Sequence, residues 1–177
     1  MIPYSLILPG DIIGVENTFN PFDMVEKTTI RGLRYIFDKN TACHITIACD
    51  RGAGLLYGCA MDYPRINMEN LTEYDHDKNG SHIVFIGRHP ALDDPLVRIN
   101  CNDWLLKTYA THRAYGIKKV LEFWGYKDST YLTDWDCSDL PCEMWKTQNI
   151  SYPPQWDEKV APFQEQCWTG LIHIFQP

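Results

Sequence analysis

Apolar residues recur along the chain with two periods, and the change from one to the other marks its elements. Asp11 to Val15, directly after Pro9-Gly10, is a short apolar run suited to a strand. From Phe22 to Phe37 the spacing of Phe22, Val25, Ile30, Leu33, Ile36 and Phe37 predicts an amphipathic helix, with Asp23 and Glu26 near its positive end. The stretch HITIACDRGAGLLYGCAM sets two apolar segments around a glycine-rich turn at Arg51 to Gly54, the pattern of a β-hairpin whose first strand opens at His44. His82 to Gly87 is a further strand. Pro95 onward, carrying Val97, Cys101, Trp104, Leu105 and Tyr109, predicts a helix, and Tyr115 to Trp124 a second helical piece. A loop containing Asp128 and Ser129 leads into DWDCSDLPCEMW, Asp134 to Trp145, and Trp168 to Phe175 reads as a closing strand. Helices precede and follow a mainly antiparallel sheet, an α+β arrangement rather than repeated βαβ units.

Composition narrows the class. With 177 residues, 45% hydrophobic and 22% charged, the chain suits one globular domain, residues 1–177. Sixteen basic against twenty-three acidic residues give a net charge of -7, and no Lys/Arg cluster is present to follow a phosphate backbone, so nucleic acid is not an expected partner. The opening MIPYSLILPGDIIGV is too short an apolar run, broken by Pro9, Gly10 and Asp11, for a signal peptide or a membrane span, and the default expectation is a soluble cytoplasmic protein. Seven cysteines, at 43, 49, 59, 101, 137, 142 and 167, lack a secretory signal and fit buried reduced thiols better than a disulfide framework. Cys43-His44 does not extend into zinc spacing, and there is no glycine-rich phosphate loop, so no metal or other cofactor is expected.

Chemistry concentrates at Asp136-Cys137-Ser138-Asp139-Leu140-Pro141. A cysteine becomes an effective nucleophile when a helix N-terminus or an imidazolium stabilises its thiolate. Acidic and serine residues here can cap a helix running through Met144 and Trp145. Pro141 is tolerated only in the first turn, which pins the helix start near Cys137. Cys137 is therefore the best placed of the seven thiols for nucleophilic work, although a thiol merely packed beneath the sheet has the same local pattern. Among six histidines, His44 at the head of a strand is the preferred base.

LPGDIIGV, a helix, ACHITIACD with its hairpin, a helix ending in AYGI, and DWDCSDL follow one another in an order that resembles the circularly permuted papain-like hydrolases, the YiiX-like relatives of NlpC-type cell-wall peptidases. The resemblance covers Leu8 to about Trp145 and implies a permuted papain-like fold with Cys137 as nucleophile and His44 as its base. It implies an acyl-enzyme on the cysteine, with substrates among the stem-peptide bonds of peptidoglycan or among lipid and other acyl amides. Export through lysis or a phage particle would carry such an enzyme to a cell wall. Similar proteins place a glutamate in a Tyr-Glu-Ala-like setting on the strand beside the histidine, where this chain reads Tyr57-Gly58-Cys59. Asp62, opposite His44 across the expected hairpin, is the nearest acid to serve as third residue, and it also fits a solvated turn before Pro64. Asp50, six residues along the same strand, is about 20 Å away and too far. A thiol hydrolase is the leading expectation; the competing one is a binding or assembly module that keeps the fold with a degenerate site, for which the missing glutamate is the expected mark. The tryptophans at 135, 145, 156 and 168 either fill the core and line a cleft or serve an interface, and the proline-rich Ser151 to Pro162 is either a lid or a surface connection.

Overall fold

The computed structural model describes residues 2–17, 42, 44–52, 54–61, 65–76, 81–114, 135–157, 165–166 and 168–176. The expected helix at 22–37, the helical piece at 115–124, the Asp128–Ser129 loop and Asp62 lie outside these residues. Six strands form one sheet: β1 (Ile12–Asn17), β2 (His44–Asp50), β3 (Leu56–Met61), β4 (Ile66–Glu69), β5 (Ser81–Arg88) and β6 (Ile172–Phe175). Their order is β4-β3-β2-β1-β5-β6, and every neighbouring pair is antiparallel. Among the described residues two helices accompany the sheet, α1 (Pro95–Ala110) and α2 (Asp139–Thr147), so the architecture is α+β. No helix among the described residues is long and apolar enough to cross a membrane.

Side-chain alternation along the strands separates two apolar layers. Ile12 on β1, Ile45, Ile47 and Cys49 on β2, and Val84 and Phe85 on β5 pack beneath Cys101 and Leu105 of α1 and Leu140, Met144 and Trp145 of α2. Ile13, Val15, Ala48, Ile83 and Ile86 point the other way, against Ile7 and Leu71. That second face is covered by the short 3-10 turns Tyr4–Leu6 and Leu71–His76, the first bonded to the second side by the Tyr4 hydroxyl, which donates to the Leu71 carbonyl at 3.0 Å.

The Gly10-Asp11-Ile12-Ile13 motif is a structural clamp. Gly10 has φ +92°, a left-handed backbone that a side chain resists, and its N–H donates to the Ala48 carbonyl at 2.8 Å. Asp11 is fully buried; its two carboxylate oxygens accept from Nε and Nη2 of Arg88, each at 2.7 Å, and one also accepts from the Leu8 N–H at 2.8 Å. Such bidentate pairing fixes direction as well as distance, and here it joins the start of β1 to the end of β5. On the helix side, Asp94 caps α1 by accepting from the Leu96 N–H at 2.8 Å, and Asn102 of α1 bonds both backbone groups of Asp50, at 2.7 and 3.0 Å. The Ser151 segment is a packed connection as far as it is described: Trp156, in the 3-10 turn Pro154–Asp157, is buried against Trp145 and Trp168.

Candidate functional site

Cys137 lies just before α2, as its sequence setting requires, but the end of the helix is already occupied. One carboxylate oxygen of Asp136 accepts from the Ser138 N–H at 2.9 Å and the Asp139 N–H at 3.1 Å, while Asp139 accepts from the Asp136 N–H at 2.8 Å. These reciprocal bonds are those of a capping box, in which two side chains three residues apart satisfy each other's backbone amides. Two of the amides at this helix start are therefore bonded to a carboxylate one residue from the thiol. Cys137 itself is 1% exposed and belongs to the apolar layer that includes Ile45, Ile47 and Leu140.

His44 points to the other layer. It is paired with Val15 across the β1–β2 ladder, and Val15 packs with Ile13 and Leu71 on the face away from the helices. There the His44 Nε2 lies 3.8 Å from a carboxylate oxygen of Glu69, with both side chains 16% exposed. The other oxygen of Glu69 accepts from the Tyr74 hydroxyl at 2.5 Å. The imidazole thus engages Glu69 on the face opposite the layer to which Cys137 belongs. The reason is the period of the strand: His44 and Ile45 must face opposite sides, and Cys137 is packed on Ile45's side.

The two residues nevertheless share one end of the sheet. The Ala42 N–H, just ahead of β2, donates to the Gln166 side chain at 2.8 Å, and Gln166 follows Glu165, which lies in the electrostatic field of Asp136 and Asp139. Chemically the site divides in two: a His–Glu–Tyr group on the face covered by the short turns, and a thiol among carboxylates on the helix face.

Gly58 explains where the acid comes from. Glu69 on β4 is its direct cross-strand partner. A Cβ at position 58 would come within 2.3 Å of the Thr46 hydroxyl, itself fully buried, and 3.0 Å of the Leu71 side chain. Thr46 fills the room that a glutamate at 58 would need, and the bare glycine lets the carboxylate of Glu69 reach across from the next strand. Glu69 is not anticipated in the sequence reading, because β4 is only four residues long and its contact with His44 depends on register across three strands. The capping by Asp136 is expected from the sequence, and its spacing to Asp139 is the capping-box spacing.

Among the described residues no group of three or more His, Cys, Asp or Glu side chains is arranged to hold a metal ion. No protein-family model matches the chain, and no curated protein is similar to it. The resemblance to permuted papain-like hydrolases therefore stands on its short motifs.

Proposed function

We propose that the chain is a permuted papain-like domain in which Cys137 has become a structural thiol, and that it acts as a binding or assembly module. The order of parts supports the fold reading: β1 follows the Gly-Asp-Ile-Ile motif, His44 heads β2, and Cys137 directly precedes α2. The observation that carries the functional reading is the Asp136 cap. With the Ser138 and Asp139 amides bonded to that carboxylate, two donors at the helix N-terminus are turned away from a thiolate at Cys137. The working surface is the face bearing His44, Glu69 and Tyr74, where polar and partly exposed groups gather.

A second reading, a thiol hydrolase acting on peptide or acyl-amide bonds such as those of peptidoglycan, is favoured by the His44–Glu69 contact. In that reading the pair, 3.8 Å apart, would supply the base and its orienting acid. Alkylation of the folded protein near pH 6 separates the two. The structural reading expects Cys137 to label no faster than Cys49 and Cys101, whose thiols burial pushes up to about 11. Preferential labelling of Cys137, retained in Cys142→Ser and lost in His44→Ala, would establish the hydrolase instead.

A further inference from the structure

Three carboxylates meet at the N-terminal end of α2, and two of them have donors. Asp136 accepts from the amides of Ser138 and Asp139, and Asp139 accepts from the amide of Asp136. Glu165 is fully buried, and neither of its carboxyl oxygens has a hydrogen-bond partner among the described residues. The nearby Ser138 hydroxyl is also buried; it eases the charge on Glu165 slightly without reaching hydrogen-bond geometry. A third negative charge in this place would have no solvent, no donor and two like charges for company, which is the arrangement in which a carboxyl group stays neutral.

The next residue makes that protonation matter. Gln166 accepts the Ala42 N–H at 2.8 Å, a bond between positions 124 apart in sequence that ties the 165–166 segment to the approach to β2. We propose that Glu165 carries a proton in the folded protein, and that its loss to solvent releases the 165–166 segment from Ala42 and from the start of α2. The contact is a latch that closes at low pH and opens at high pH, and it operates whether or not Cys137 reacts.

Burial, followed by the charge of Asp136, holds the Glu165 carboxyl well above the usual carboxylate range, with Ser138 offsetting part of this and Asp139 adding to it. Among the described residues, no basic side chain is one of the groups that act on it. Because the folded state keeps the proton longer than the unfolded state, the stabilisation is complete below the unfolded value of about 4.3 and is lost as pH rises through the folded one.

The test is Glu165→Gln, which keeps the shape of the neutral acid and cannot ionise. Urea denaturation from pH 4 to 9 should show the variant gaining on the parent as pH rises, by up to about tenfold in the folding constant per pH unit within the window. Amide exchange at Ala42 should accelerate with pH beyond its intrinsic dependence in the parent and not in the variant. Asp136→Asn, with one like charge removed, should let Glu165 ionise more easily and shift the loss to lower pH. A Glu165→Gln variant that is destabilised equally at every pH, or parallel Ala42 exchange in the two proteins, would overturn the latch.

Discussion

Replacing Asp136 tests the cap directly, provided the charge and the acceptor are separated. In Asp136→Ala the amides of Ser138 and Asp139 lose their acceptor at 2.9 and 3.1 Å, and both residues are buried, at 1% and 7% exposure. Loss of an Asp cap costs about 0.5–2 kcal/mol, and a buried donor left unsatisfied about 1–3 kcal/mol. Relief of repulsion with Asp139 offsets part of that sum, so the expected loss is about 2–4 kcal/mol. Asp136→Asn keeps an oxygen in the same place and should lose about 1 kcal/mol or less. Urea denaturation of both variants gives the free energies. Thermal unfolding should show a drop of roughly 5–15 °C for the alanine variant, at about 2–4 °C per kcal/mol in a chain of this size. Equal losses in the two variants, or an alanine loss under about 1 kcal/mol, would mean that the carboxylate does not hold these amides. The case against an activated Cys137 would then fall with it.

Two further outcomes follow from the fold. Asp11→Asn breaks a buried bidentate pair and leaves Arg88, whose side chain is 14% exposed, with its bond to the Leu6 carbonyl but no carboxylate, so it should cost about 3–5 kcal/mol in urea denaturation; a loss under about 1 kcal/mol would show the pair to be effectively solvated. His89 accepts the Ala91 N–H at Nδ1 and bonds the Ser151 carbonyl through Nε2, each at 3.1 Å, and burial lowers its pKa despite that carbonyl. A depressed histidine favours the neutral folded form, so its contribution is whole above about 6.5 and declines as pH falls towards the folded value. His89→Asn keeps an acceptor for Ala91 and cannot titrate there; the stability difference between parent and variant should vary with pH below 6.5 and be constant above it, and a difference constant throughout would refute the assignment.

Much of the frame is legible in the amino-acid pattern because it is local. The hairpin turning at Arg51 to Gly54 appears with β2 ending at Asp50 and β3 starting at Leu56, as alternating apolar residues around glycines require. Pro95 behind Asp94 begins α1, and Pro141 lies early in α2. The closing strand is shorter than its pattern suggests, Ile172–Phe175 rather than from Trp168, because Trp168 turns inward onto Trp145 and Trp156. The site is less legible, since its parts are joined by long-range geometry. His44 was rightly read as heading a strand, but which face it takes is set by its partner on β1, not by its neighbours in sequence. Cys137 stands at a helix start as expected, yet the use of that start is decided by the side chain of Asp136, and the position of Glu165 by a fold that returns to Ala42.

Thr46 and Gly58 make substitution at this site depend on order. A glutamate placed at 58 with Thr46 unchanged meets a filled space, whereas shortening Thr46 first opens the room in which the new carboxylate could stand. The two positions form a ratchet: one sequence of changes passes through a folded intermediate, the reverse through a strained one. Any attempt to rebuild an acid beside His44 from β3 has to begin at Thr46 on β2.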